Sequence, residues 1–141
     1  MLELAILGLL KDGPVHGYEL KGKVGWVTGA YRPVSDGALY PAIGRLEAKG
    51  LLERHPPSAG KTSAPRVVLS LTAAGEAEFL ERLRRRRPAD VSNAARYFVI
   101  LAFFGHLTRS QQGSLLRRRL AFLRNHGCRR CAVPFGVGCL S

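Results

Sequence analysis

The chain has few cysteines and no apolar run of membrane-spanning length. Its three cysteines all stand within the last 14 residues, and an odd, clustered set argues against a disulfide framework. The apolar run over residues 2–10 contains Glu3 and has no basic residue before it, so it lacks the layout of a signal peptide. The run over residues 97–104 is too short to cross a bilayer. We therefore expect a cytoplasmic protein with no membrane partner.

Residue sets for catalysis or metal binding are also missing. No paired carboxylates, glycine-rich phosphate loop or nucleophile–base pair stand out, so we expect no enzyme. His16 is interpreted as a turn residue, because nothing near it in the sequence supplies a nucleophile or a second carboxylate. Cys128 and Cys131 with His126 form half of a ligand pattern, but no second pair has zinc-finger spacing. We expect no metal and no cofactor.

Acidic residues are scarce, and they are distributed unevenly along the chain. The chain has 22 basic and 10 acidic residues, a net charge of +12. Residues 88–141 contain a single acidic residue, Asp90, and carry more than half of that excess. Such a surplus favours a polyanionic partner through Coulomb attraction and counterion release, although a solvated basic face has the same composition. At 141 residues and 46% hydrophobic, the chain suits one domain with an appendage and a real core.

The first 50 residues predict three helices. Apolar residues recur at helical spacing over residues 2–10 and cover nearly all sides, which indicates a buried helix. Gly13 and Pro14 end it. A second helix is predicted over residues 15–27 and a third over residues 37–49. The third predicted helix says most about function, because basic side chains lie on one of its outward faces.

That third helix is amphipathic. Ser35 or Asp36 can cap its start, and Pro41 costs little in the first turn. The i, i+4, i+7 spacing predicts an inward face of Leu39, Ile43 and Leu46. The opposite face is predicted to hold Ala38, Ala42, Arg45 and Lys49. A helix of this shape fits the major groove of DNA, which is about 12 Å wide.

A β-hairpin is predicted after the third helix. Residues 51–54 and 66–71 have strand composition, and a proline-containing loop joins them. Lys61 in that loop would reach the DNA backbone beside the groove. Thr72 is predicted to cap a following helix, which Pro88 ends. Helix, helix, helix and hairpin in this order are typical of the winged helix-turn-helix.

At this point the chain resembles a known family. The segments MLELAILGLLKDGPVHGYEL, GALYPAIGRLEAKGLLE and LTAAGEAEF, in this order over roughly residues 1–85, are similar to the winged-helix domain of PadR transcriptional regulators. The resemblance implies a mainly α fold with a small β-hairpin, and a dimeric, ligand-responsive repressor of a palindromic operator. It places residues 35–49 in the major groove, two tyrosines near the DNA backbone and the basic wing at the minor groove. The predicted DNA-binding residues are Tyr18, Ser35, Asp36, Ala38, Tyr40, Pro41, Arg45, Lys49, Lys61, Thr62 and Arg66.

The C-terminal part is predicted to be helical. Residues 91–107 are predicted to form one strongly apolar helix. Because such a helix would expose a large apolar patch on its own, it suggests an oligomer contact. A second helix follows Thr108 or Ser110 and carries a leucine stripe at residues 115, 116, 120 and 123. The resemblance implies an antiparallel pairing with a second copy. The aromatic residues Trp26, Phe98 and Phe103 are interpreted first as parts of a packed core, and they are also the candidate lining of a pocket for a small aromatic or hydrophobic effector.

The sequence thus divides into three parts. Residues 1–87 are predicted as the winged helix-turn-helix domain and residues 88–124 as the helical dimerisation and effector region. Residues 125–141 lose the helical period, and we interpret them as an irregular, divergent or frameshifted tail. The leading hypothesis is a homodimeric repressor that binds double-stranded DNA. The alternative is a basic RNA- or ribosome-associated winged-helix protein without effector control, although the wing segment VVLSL has no aromatic residue for base stacking.

Overall fold

The fold is mainly helical with one small antiparallel sheet. The computed structural model describes residues 1–28, 34–56, 67–85 and 87–127. In chain order the elements are α1 (Leu2–Lys11), β1 (Val15–His16), α2 (Gly17–Thr28), α3 (Asp36–Ala48), β2 (Leu52–His55), β3 (Val68–Leu71), α4 (Ala73–Arg84), α5 (Pro88–Ser92), α6 (Ala94–Ala102), a single 3-10 turn (Phe104–His106) and α7 (Arg109–Gly127). The predicted fold class is confirmed. No helix of the described part is both long and apolar enough to cross a membrane.

The sheet has three strands in the order β1-β3-β2. Strands β2 and β3 form the predicted hairpin, with Leu52 opposite Leu71. Two predictions about β1 are wrong: Val15 does not begin the second helix, and His16 is not a turn residue. Val15 pairs with Leu69 of β3 in an antiparallel bridge. This pairing joins residues more than 50 positions apart, so local periodicity contains no trace of it.

Helix α1 lies at the centre of the fold, in contact with α2, α3, α4 and β3. It is buried nearly all round, as its composition predicts. Its buried side chains are Leu4, Ala5, Ile6, Leu7 and Leu10. Because α2, α3, α4 and β3 of the winged domain (α1–α4 with the sheet) all pack on this helix, α1 helps to set the position of α3.

Helix α3 begins one residue earlier than predicted and ends one residue earlier. Leu39, Ile43 and Leu46 point inward, as predicted, but the outward placement of Ala42 is wrong because Ala42 is fully buried. At 100° per residue Ala42 lies about 40° beyond Leu46 and about 60° from Leu39, at the edge of the apolar stripe. Gly50 ends the helix with a positive φ of 67°, a conformation that glycine adopts without strain.

Helix α4 begins at the predicted cap. The Gly75 amide donates to Thr72 Oγ1 at 3.0 Å, and Thr72 Oγ1 donates to the Gly50 carbonyl at 2.7 Å. The predicted end of this helix at Pro88 is wrong, since α4 already stops at Arg84 and Pro88 begins α5. Proline suits that position because the first turn of a helix does not use its N–H.

The predicted single helix over residues 91–107 is wrong. It is broken at Asn93, whose Oδ1 accepts from the Arg96 amide at 3.0 Å and so caps α6. Of the two predicted caps, Thr108 and Ser110, it is Thr108 that caps α7, with the Gln111 amide donating to Thr108 Oγ1 at 3.3 Å. Helix α7 continues to Gly127, three residues into the segment interpreted as irregular; residues 128–141, with the three cysteines, lie outside the described residues.

The C-terminal helices pack directly on the winged domain. Phe103 is buried against Gly8 of α1 and meets Phe79 of α4 edge-to-face, with 5.4 Å between ring centroids. Arg119 of α7 donates to the Ser92 carbonyl at 3.3 Å and lies over the Tyr97 ring at 5.0 Å. One hydrophobic core therefore runs from α1 through α4 to α6 and α7.

Candidate DNA-binding site

Helices α2 and α3 are joined by an exposed ion pair. Lys21 Nζ lies 2.8 Å from Asp36 Oδ1, at the first residue of α3. Ser35 occupies the N-cap position with extended backbone, but its side chain makes no cap hydrogen bond. Its carbonyl instead accepts from the Ala38 amide at 3.0 Å. The ion pair therefore links the start of α3 to α2.

The outward face of α3 is built from small residues. Gly37, Pro41 and Gly44 lie directly opposite the buried stripe. Tyr40 lies on one edge of this face and Arg45 on the other. A face of this kind lets the helix backbone approach a surface closely, while its polar groups act from the edges.

Two predicted tyrosines are exposed on this side of the motif. Tyr18 of α2 and Tyr40 of α3 are both among the exposed large side chains. Tyr18 Oη donates to Glu19 Oε1 at 3.4 Å, and its ring lies 6.3 Å from that of His16. The Tyr40 phenol can donate to an acceptor such as a phosphate oxygen, and Tyr18 can do so if it exchanges its bond to Glu19.

Arg45 is held by a partner that the sequence did not reveal. Its Nε donates to Glu3 Oε1 at 3.0 Å, and Glu3 Oε2 accepts from Arg82 Nη1 at 2.9 Å. The hydrogen bond from Arg82 lowers the pKa of Glu3, and the bond from Arg45 adds to this, although burial raises it. Glu3 is 42 residues from Arg45 and 79 from Arg82, so only the fold brings the three together.

Lys49 stands at the C-terminal end of α3 and is exposed. Within the part of the chain that the structure describes, it takes part in no ion pair. The wing residues Lys61, Thr62 and Arg66 lie outside the described residues. The site described by the structure therefore consists of α3 with the two tyrosines beside it.

The three residues predicted to line an effector pocket have different environments. Phe103 is buried in the core, whereas Trp26 and Phe98 are 80% and 61% exposed. Helices α2 and α6, which carry the two exposed rings, are in contact. None of the three lines the cavity that the structure forms beside α1. Among the described residues no group of three or more histidine, cysteine or carboxylate side chains could hold a metal ion.

The arrangement of α2 and α3, followed by the β2–β3 hairpin and packed on α1, defines a winged helix-turn-helix protein. This class is fixed by the described elements alone. Residues 6–81 match the model of the transcriptional regulator PadR-like family. The match spans more than half of the chain, and the chain belongs to this family.

Individual relatives agree with that assignment. The chain is 24% identical over 120 residues to the negative transcriptional regulator PadR of Bacillus subtilis (strain 168), a match that covers 85% of this chain and 65% of the relative. The chain therefore spans slightly less than two thirds of that curated relative.

Solved structures show the same fold. A PadR-like transcription factor from "bacteroid fragilis" is 30% identical, with a TM-score of 0.51, over 58% of this chain and 76% of its own. The crystal structure of Bacillus subtilis PadR in complex with operator DNA is 23% identical, with a TM-score of 0.55, over 88% of this chain and 69% of its own. At that identity the second likeness concerns the fold.

Proposed function

We propose that this PadR-like regulator is a dimeric, ligand-responsive repressor that binds a palindromic operator through α3. The observation that carries the proposal is the outward face of α3, small along its centre and flanked by exposed Tyr18, Tyr40 and Lys49. The net charge of +12 supports a polyanionic partner. The relatives add support, because one is named a negative regulator and another was crystallised with operator DNA. No catalysis is part of the proposal, and its place of action is the cytoplasm.

Some of the proposed contacts position the protein on the DNA, and others specify the base sequence. Lys49 and the hydroxyls of Tyr18 and Tyr40 contact phosphates, which sets the register. Arg45 leaves Glu3 and donates to a base edge. A bidentate arginine–guanine contact is worth about 1–3 kcal/mol of discrimination. At the start of α3, Ser35, Asp36, Ala38 and Pro41 approach the backbone, and in the wing the proposed contacts are Lys61, Thr62 and Arg66.

The proposed dimer uses the C-terminal helices. Leu116, Leu120 and Leu123 of α7 are 48%, 48% and 47% exposed, and their i, i+4, i+7 spacing places them on one face. An antiparallel α7 from a second copy would cover this stripe. We assign this role to residues 88–124, and an aromatic or hydrophobic effector to Trp26 and Phe98, with Phe103 behind them.

Fluorescence anisotropy tests operator binding. A duplex from the DNA upstream of the gene and a shuffled duplex are titrated at 50 and 200 mM salt. We expect the upstream duplex to bind at least about 10³-fold more tightly, with an affinity that falls steeply with salt. Equal affinity for the two duplexes would contradict operator recognition and leave only a basic module.

Three variants separate the proposed roles. Arg45→Ala is expected to cost about 1–3 kcal/mol on the operator and little on shuffled DNA. Lys49→Ala should weaken both duplexes alike and reduce the salt slope by about one. Arg118→Ala, which removes an exposed arginine on α7, is the matched control and should leave the affinities for both duplexes unchanged. A loss on Arg118→Ala as large as on Lys49→Ala would contradict the placement of the site on α3.

Light scattering tests the dimer. We expect a dimer at micromolar concentration, and a shift to monomer on Leu120→Glu, because a carboxylate in the stripe would be buried without a partner. Arg118→Ala again serves as the control on the same helix. A wild-type monomer at that concentration would contradict the palindromic-operator proposal.

The exposed rings of Tyr18 and Tyr40 give the alternative function a specific basis, since single-stranded RNA stacks its bases on such side chains. Under that alternative the protein is a basic RNA- or ribosome-associated winged-helix protein without effector control. Competition with unlabelled single-stranded RNA distinguishes the two. If unlabelled RNA displaces the labelled upstream duplex at a lower concentration than unlabelled upstream duplex does, the result favours the alternative.

A further inference from the structure

A cleft of about 500 Å³ lies where α1, α3, α4, α5 and α6 meet. Its lining is dominated by arginine: Arg45, Arg82, Arg85, Arg87 and Arg96. Three carboxylates share the lining, those of Glu3, Glu78 and Asp90. The guanidinium groups that line the cleft therefore outnumber its lining carboxylates by two, although Arg85 also pairs with Glu81 at 3.3 Å. We call this the arginine cleft.

Glu3 shows what chemistry the arginine cleft accepts. Its two carboxylate oxygens take hydrogen bonds from different elements, one from Arg45 of α3 at 3.0 Å and the other from Arg82 of α4 at 2.9 Å. This is the way in which an oxyanion is gripped by two guanidinium groups. The carboxylate of Glu3 thus fills a position between two guanidinium groups in which an oxyanion of a ligand would also fit.

Glu78 pairs closely with Arg82, its Oε1 lying 2.5 Å from Arg82 Nε, whereas Asp90 leaves positive charge partly uncovered. Asp90 is almost fully buried, and one of its oxygens accepts from the Arg87 backbone amide at 3.0 Å. Its second oxygen is 3.5 Å from Arg96 Nη1, a long contact. The guanidinium of Arg96 is thus only loosely engaged, and it faces the same cleft as Arg82. A ligand with several anionic oxygens would meet donors on both walls.

We propose that the arginine cleft binds a small polyanionic oxyacid, of the phosphate or polycarboxylate class, which competes with Glu3 for Arg45 and Arg82. The cleft volume of about 500 Å³ lies within the range of about 300–1,000 Å³ that is usual for small-molecule sites. The site does not depend on operator binding, because its lining comes mainly from α1 and α4–α6. A ligand bound in the cleft would nevertheless change the hydrogen bonding of Arg45, the residue of α3 that pairs with Glu3.

Isothermal titration calorimetry with inorganic pyrophosphate, at constant ionic strength maintained with chloride, tests the proposal. We expect one saturable site per chain. Arg96→Gln should weaken pyrophosphate binding about fivefold or more, because a facing charge is lost. Arg118→Gln removes the same charge from exposed α7 and should stay within about twofold of wild type.

Glu3→Gln gives the more decisive result because it predicts a gain. The amide no longer competes as an anion, so pyrophosphate should bind about fivefold more tightly, and misfolding cannot produce tighter binding. Thermal unfolding without ligand checks that each variant is folded. If Glu3→Gln fails to fold, Glu78→Gln bears the same prediction, since it removes another carboxylate of the cleft.

The same variants distinguish a free anion from a DNA phosphate. A shuffled duplex should bind Arg96→Gln and Arg118→Gln equally well. If Arg96→Gln weakens the duplex as much as it weakens pyrophosphate, the cleft is part of the DNA surface and the proposal is overturned. Absence of saturable binding, equal losses on Arg96→Gln and Arg118→Gln, or no gain on removal of a cleft carboxylate would show a structural ion-pair network only.

Discussion

Gly8 is the point of closest approach between the winged domain and the C-terminal helices. A Cβ placed on Gly8 would lie 2.4 Å from both Cε1 and Cζ of Phe103, well inside van der Waals contact. Phe103 is buried and is held edge-to-face by Phe79, so the ring cannot swing out to solvent. Gly8→Ala must therefore push α1 and α6 apart or displace a packed ring.

The size of the effect follows from two opposing terms. Overpacking of a core by one methyl costs about 1–3 kcal/mol, while replacing glycine by alanine inside a helix gains about 1 kcal/mol. Gly22→Ala is the matched control, because Gly22 lies within α2 with no atom of the described chain within 4 Å of its Cβ position. Gly8→Ala should thus be less stable than Gly22→Ala by about 1–3 kcal/mol, or roughly 3–12 °C in Tm.

Thermal unfolding followed by circular dichroism measures this difference, and a double-mutant cycle identifies its cause. Phe103→Leu should be less destabilising in the Gly8→Ala background than in wild type, with a coupling of at least about 0.5 kcal/mol. Equal Tm values for Gly8→Ala and Gly22→Ala, or additive effects in the cycle, would refute the close packing of α1 on the C-terminal helices.

Two further predictions concern the winged domain. Thr72→Ala removes both the bond to the Gly75 amide and the bond to the Gly50 carbonyl, and urea unfolding should show a loss of about 1 kcal/mol, with Thr72→Ser as a milder control; an unchanged midpoint would contradict the cap. The pKa of Glu3 is lowered, chiefly by Arg82, so its contribution to stability is present above the ordinary pKa of about 4.3 and is lost as the pH falls through the lowered value. Glu3→Gln should flatten the dependence of stability on pH between about 5 and 3, and a profile as steep as that of wild type would contradict the pairing.

Local signals predicted the elements that depend on neighbouring residues. The Thr72 cap, the inward Leu39 and Ile43 of α3 and the Thr108 start of α7 all rest on spacing of a few residues, and all are confirmed. Ala42 was misplaced because its angular position is at the edge of the buried stripe, about 60° from Leu39, where spacing alone does not decide burial.

What could not be predicted depends on distant partners. The strand at Val15 exists only because β3 offers it an edge, and the pairing of Glu3 with Arg45 and Arg82 requires α1, α3 and α4 to be packed first. The break at Asn93 was hidden because the strongly apolar run over residues 97–104, which follows it, favours one continuous helix. For the candidate site, the sequence therefore identified α3 and missed the carboxylate that holds its arginine.

Footprinting of the DNA upstream of the gene with a nuclease tests the central claim most directly. The claim predicts a protected segment with two symmetric halves, whose centres are separated by about one helical turn or a multiple of it. Arg45→Ala should abolish that protection at concentrations where Arg118→Ala retains it. Uniform protection of the whole fragment, or none at concentrations that saturate anisotropy, would contradict the claim that α3 reads an operator.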